Sequence, residues 1–341
     1  MNCAIKTSKT MKGFMFCNRW GMKLIKSNPT QSKRPAARLA SGAALAGNLL
    51  ALLMLATPVP APGQIFVVTE NGFAGDGQLG EYNLDGTPVN ASLIPYGGLW
   101  LPNQIAVSGS DLFISDNNHN TIGKYTTSGA TVNASLITGF NGNIVVSGSD
   151  LFVVNSVTGI VGEYTTSGAP VNPALITGLN NPQGLVLLGS DLFVLNYGSG
   201  TVGEYTTSGA TVNASLITGL GLSTALAGSG SYLFVANESG TIGEYTTSGA
   251  TVNASLITGL GIRDFTCMEV YGSELLVTDR NSIFEYTLGA TPGTVTSSDT
   301  SFITGLYESN GFAVESVPEP GTLSLLAGGL IALFSVKRRR A

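Results

Sequence analysis

The sequence predicts an all-β protein. Its core is expected to be a six-bladed β-propeller closed by a C-terminal strand, set between an N-terminal signal peptide and a C-terminal transmembrane helix. Three observations carry the propeller. One phrase recurs: Gly203–Leu220 (GEYTTSGATVNASLITGL) is repeated letter for letter at Gly243–Leu260, and Gly123–Phe140 and Gly162–Leu179 differ from it at two and three places. Looser copies begin at Gly80 and Phe284. The period is near 40 residues with four strand-like stretches in each unit, the signature of a propeller blade. Finally, the sixth copy is followed by one strand with no blade of its own, and the first unit lacks the strand that opens the others.

The elements follow in chain order. Residues 1–38 hold nine basic side chains and no acid, Leu39–Ala56 is an apolar run, and TPVPAPGQ follows. Basic, apolar, then small residues before a turn is the signal-peptide layout. Ala61 and Gly63 supply small side chains for cleavage before Gln64, and Met22 offers an alternative start. The competing reading is an uncleaved N-terminal anchor, since 18 apolar residues lie near the spanning limit. Residues 1–63 are assigned to this leader.

Residues 64–316 are assigned to the propeller. Each unit opens with an apolar run whose third residue is Phe66, Phe113, Phe152, Phe193, Phe234 or Leu276, at spacings of 47, 39, 41, 41 and 42. A Gly-Glu-Tyr strand, a Thr-Ser-Gly turn and an Ala-Ser-Leu-Ile strand follow. The β-branched and aromatic content favours strands, and Gly in the turn supplies a positive φ. The first run is apolar on both faces (LFVV, LFVL), as blades stacked face to face require. A parallel β-helix would repeat nearer every 20 residues, and a sandwich would not repeat so closely. The fourth strand type is expected near Gln104–Val107, Asn143–Val146, Gly184–Leu188, Ala225–Gly228, Cys267–Val270 and Gly311–Val314. The last of these should complete the first blade and hide its edge.

Charge is partitioned. Residues 64–316 carry 20 acids against Lys124, Arg263 and Arg280 alone. So acidic a body repels polyanions, which argues against nucleic acid as a partner. Cysteines are Cys3, Cys17 and Cys267, so the body holds one thiol and no internal disulfide. Zinc and redox readings have nothing to stand on.

Residues 317–341 read VPEPGT, then the apolar Leu323–Val336, then Lys337, Arg338, Arg339 and Arg340. Val317, Pro318, Glu319 and Pro320 strongly resemble the PEP-CTERM sorting motif of exported bacterial proteins. The resemblance implies recognition by an exosortase, a membrane-embedded transpeptidase-like enzyme. It also implies a Gram-negative host that makes exopolysaccharide, inner-membrane anchoring before processing, and a place in the envelope or outside the cell afterwards. Pro-Glu-Pro is stiff and extended, which suits a protease groove, and the four basic residues halt translocation. The apolar run of 14 is short for a bilayer core. A plain tail anchor is the competing reading. The repeats themselves resemble NHL and YVTN-type propellers and the streptogramin-lyase-like ones, with Asp111–Tyr125 (DLFISDNNHNTIGKY) the best local match. That resemblance implies fold rather than activity.

Candidate site residues are few. Asp116, Asn155, Asn196, Asn237 and Asp279 recur three places beyond the strand markers, with Thr69 in the sixth position. On a propeller they are expected to ring one mouth of the channel. Their oxygens suit Ca²⁺, a hard ion; alternatively, each caps its own turn. His119 is the sole histidine, read as an exposed loop residue rather than a general base. Glu81, Glu163, Glu204, Glu244 and Glu285, with Lys124 as the exception, should form a solvated rim. The repeat tyrosines should wedge between blades rather than stack on sugar, and Cys267 is read as a small core residue. No catalytic residue is assigned. The expected function is a non-catalytic binding or structural module with a polysaccharide or protein ligand. The alternative is a metal-dependent lyase or lactonase at the channel mouth, which near-identical blades serve poorly.

Overall fold

The computed structural model describes residues 63–70, 75–260 and 267–315. Apart from Gly63, the predicted leader and sorting tail therefore lie outside the described residues. Within them, 24 strands form six four-stranded antiparallel sheets, and no helix is long and apolar enough to cross a membrane.

Blade one holds β1 (Gln64–Glu70), β2 (Asp76–Asn83) and β3 (Pro88–Trp100). Blade two is β4 (Pro102–Ser108), β5 (Asp111–Asp116), β6 (Thr121–Thr126) and β7 (Thr131–Thr138). Blade three is β8 (Ile144–Ser147), β9 (Asp150–Asn155), β10 (Ile160–Thr165) and β11 (Pro170–Ile176). Blade four is β12 (Pro182–Leu188), β13 (Asp191–Asn196), β14 (Thr201–Thr206) and β15 (Thr211–Ile217). Blade five is β16 (Ser223–Ser229), β17 (Tyr232–Asn237), β18 (Thr241–Thr246) and β19 (Thr251–Ile257). Blade six is β20 (Met268–Tyr271), β21 (Glu274–Thr278), β22 (Ser282–Leu288) and β23 (Val295–Thr304). The last strand, β24 (Ser309–Val314), pairs with β1 and gives the order β24-β1-β2-β3. The ring of six blades is thus shut by its own C-terminal strand, as the sequence predicts.

The core lies in the six seams between blades rather than inside any one of them. In β1, Phe66 and Val68 face blade two, while Ile65 and Val67 face blade six, and all four are fully buried. This is why the second strand of each blade is apolar throughout. Each repeat tyrosine enters the seam with the preceding blade: Tyr125 packs with Phe66 and Leu79, Tyr164 with Phe113 and Ile122, and Tyr205 with Phe152 and Val161.

The glycine two residues before that tyrosine makes room for it. Residues i and i+2 of a strand share a face, and the ring folds back over Gly203. A Cβ there would stand 2.8 Å from Tyr205 Cε2 and 2.9 Å from its hydroxyl oxygen. The Thr-Ser-Gly turn is equally specified. Gly209 takes φ +84°, its N–H donates to Thr206 O at 2.9 Å, and the Thr206 hydroxyl oxygen accepts from Ala210 N at 3.1 Å.

The outer strands are mostly exposed, yet they are poor templates for further pairing. In β15 the Asn213 side chain accepts from Ser215 N at 3.1 Å, and the register slips on both sides of Asn213. The same turn recurs at Asn90, Asn133, Asn172 and Asn253, and Asp299 takes the role in blade six. Bulges of this kind blunt a sheet edge against aggregation.

Two outcomes are expected. Gly203→Ala should lower stability by about 1–3 kcal/mol, the usual cost of overpacking a tight site, read as a lower urea midpoint at unchanged slope. A chain ending at Glu308, without β24, should lose its cooperative thermal transition by circular dichroism, whereas a chain ending at Glu315 should keep it.

Candidate functional site: the channel and its mouth

The innermost strands β4, β8, β12, β16, β20 and β24 line an axial cavity of about 350 Å³. Most of its wall is aliphatic. Its polar lining includes Gln104, Asn143, Glu269 and Tyr271. Glu269 is half-buried in this wall, and its Oε2 accepts from Val314 N at 3.0 Å, tying blade six to the closing strand. Burial pushes its carboxyl up to about 7, against the smaller opposing effect of that hydrogen bond. Beside it Cys267 is buried, and its Sγ donates to Phe312 O at 3.5 Å. Burial pushes this thiol up to about 12, so it stays protonated and unreactive at neutral pH.

The recurring Asp and Asn residues sit at the ends of the second strands, at one mouth of the ring. None of the five is part of the axial cavity wall itself. Their oxygens are engaged by nearby backbone instead. Asp116 accepts from Asn118 N and His119 N at 2.8 and 2.9 Å, and Asn155 accepts from Val157 N and Thr158 N at 3.0 and 2.9 Å. Asn237 accepts from Ser239 N at 3.1 Å, and Asp279 from Asn281 N and Ser282 N at 2.9 and 2.8 Å. Asn196, buried, accepts from Asn180 N at 3.2 Å. Among the described residues no group of three or more His, Cys, Asp or Glu gathers to hold a metal ion.

His119 is exposed at this mouth, with Nδ1 2.7 Å from Asp116 Oδ2. Its ring meets Trp100 edge to face, with centroids 6.0 Å apart at 82°. Trp100, itself 45% exposed, ends β3, which runs longer than the other outer strands. Sequence reasoning passed over Trp100 and Glu269. The available signals were the single tryptophan of the folded body and the lone acid within an innermost strand.

The rim acids lie toward the opposite face of the ring. Lys124, the exception, pairs with Asp111 Oδ2 at 2.8 Å and stands 5.5 Å from the centre of the Phe113 ring. Glu244 is buried, and its Oε2 accepts from Gly293 N at 2.7 Å. The solvated-rim expectation therefore fails for that blade, where the loop before β23 covers the glutamate.

Fold and sequence together define a six-bladed propeller that ends in a sorting signal. Residues 316–340 match the PEP-CTERM protein-sorting motif, so Val317–Pro320 and the basic Lys337–Arg340 fall within a recognised signal although they lie outside the described residues. Such a signal marks an exported exosortase substrate, anchored in the membrane before processing. Among solved structures, the chain is similar to one in the crystal structure of a nidogen/laminin complex. That match has 15% identity, covers 74% of this chain and 98% of that one, and has a TM-score of 0.57. A protein from Lactobacillus plantarum matches at 15% identity, with 74% and 99% covered and a TM-score of 0.52. A streptogramin B lyase structure matches at 18% identity over 69% and 86%, with a TM-score of 0.47. The first two likenesses establish the propeller fold and nothing beyond it. No curated protein matches the sequence significantly.

Glu269 sets a pH dependence. Its folded-state pKa is raised, so the stability linked to its proton is complete below the ordinary carboxylate range and is lost as pH rises toward 7. Glu269→Gln keeps an acceptor for Val314 N without the charge. At pH 8 the variant should be more stable than wild type by about 1–3 kcal/mol, discounted for contact with the cavity. At pH 4 the two should unfold at the same denaturant concentration.

Proposed function

We propose that the chain is an exported propeller, sorted by an exosortase to the envelope or extracellular matrix of a Gram-negative bacterium, where it acts as a non-catalytic binding or structural module. The observation that carries this reading is the placement of the sorting signal. The match begins at residue 316, two residues after the strand that closes the ring. The body ahead of the signal is thus complete, and cleavage there would release a closed propeller. The acidic surface and a glycan or protein ligand belong to the same reading. The near-identity of the blades supports it, since catalysis needs different groups at different points around the axis. A metal-dependent lyase or lactonase would have to work with His119 and Asp116 at the mouth. That pair lies where β5 runs into an exposed loop, and Asp116 Oδ1 is already taken by backbone N–H groups.

The test is processing in a host that carries an exosortase. Replacing Pro318, Glu319 and Pro320 by alanine should leave the apolar tail on the mature protein and shift it to the membrane fraction, read by intact mass. Identical mature masses for wild type and variant would overturn the reading.

A further inference from the structure

The repeat supplies an internal comparison at the rim. In blade two, the Lys124 ammonium fills the groove toward blade three. It pairs with Asp111 Oδ2 at 2.8 Å, donates to Thr166 O at 3.4 Å, and lies over the Phe113 ring. In blade four the same strand register places Glu204 opposite Phe193 and Asp191 opposite Thr206, as Lys124 lies opposite Phe113 and Asp111 opposite Thr126. The lysine position is therefore a glutamate, and the groove toward blade five is a cavity of about 360 Å³. Asp191, Phe193, Glu204 and Thr247 are among its walls, with Thr247 standing where Thr166 stands. Among the described residues, neither Asp191 nor Glu204 has a basic partner. Burial, and then the charge of Asp191, push the Glu204 carboxyl up, as a site short of a cation should show.

We propose that the groove between blades four and five is a binding site for a primary ammonium on an alkyl stem, as carried by a lysine side chain of a partner protein. Lys124 shows what such a groove accepts: a charged nitrogen at the end of a flexible alkyl chain, shared between a carboxylate and a backbone carbonyl and standing over an aromatic ring. Asp191 and Glu204 add a second negative charge, and the acidic body draws in a basic partner. The same acid pair stands at Asp150 and Glu163 in blade three, where Asp150 likewise helps raise the Glu163 carboxyl after burial. In blade five Glu244 is spent on Gly293 N. This site is independent of the sorting signal, so its failure would leave the processing result untouched.

Calorimetric titration of the full chain in neutral detergent at low ionic strength tests it. Cadaverine serves as the lysine-stem probe, ethanolamine as the short-stem probe that mimics a lipid amine, and tetramethylammonium as a cation without N–H groups. Cadaverine should bind saturably and more tightly than the other two. Glu204→Lys, which copies blade two, should remove one equivalent of bound cadaverine while melting at or above the wild-type temperature. Lys124→Glu should add one. Glu204→Gln gives the same loss without adding a charge of its own. Equal binding of tetramethylammonium, ethanolamine as tight as cadaverine, or an unchanged count in the Glu204 variants would each overturn the proposal.

Discussion

A single six-residue strand decides whether this molecule exists as a ring. Strand β24 brings Phe312 and Val314 into the seam between blades six and one, beside Ile65, Val67 and Leu276, and it places Ala313 in the next seam. Without it that side of β1 would be an open edge and the sixth seam would be half empty. Backbone pairing is reinforced from both sides. Asn310 Nδ2 donates to Pro102 O at 3.0 Å, Glu269 takes Val314 N, and Glu315 N donates to Gln64 O at 2.7 Å. Since each blade buries its faces only against its neighbours, opening one seam weakens the support of the rest.

The seams also explain why the chain repeats itself so literally. The Gly-Glu-Tyr phrase is a packing device in which the glycine leaves a hollow, the tyrosine folds over it and the preceding blade covers both. Thr-Ser-Gly is a turn device, and the Asn of the outer strand is an edge device. None of these needs a ligand to account for it. Chemistry specific to this protein is therefore to be sought where the copies disagree: Lys124, Glu269, the Trp100–His119 contact and the loop that covers Glu244.

Most of the architecture was legible from the sequence because a ring repeats a few strong signals. Period, strand order, the both-faced apolar run and the unfinished first blade each had a direct physical cause. The candidate site was less legible. That Asp116 and its counterparts lie at one mouth follows from their place at a strand end. That they stay out of the channel depends on the innermost strands, whose side chains alone form its wall. Their oxygens are claimed by local N–H groups, the turn-capping alternative that residue type already offered. Glu269 was hidden because a single acid in a short strand carries no periodic signal, and Glu244 because its cover comes from a loop unlike the other turns.

The strand directions give the ring two unlike sides. Strand β1 starts and β24 ends on one of them, with Gln64 and Glu315 hydrogen-bonded side by side, while Asp116, His119 and Trp100 stand on the other. The described chain therefore leaves the ring, at Glu315, on the side opposite the Trp100–His119 contact. The Lys124 and Glu204 grooves lie toward the same side as Gln64 and Glu315. The rim grooves and the point where the described chain ends thus share one face, and the aromatic-histidine contact has the other to itself.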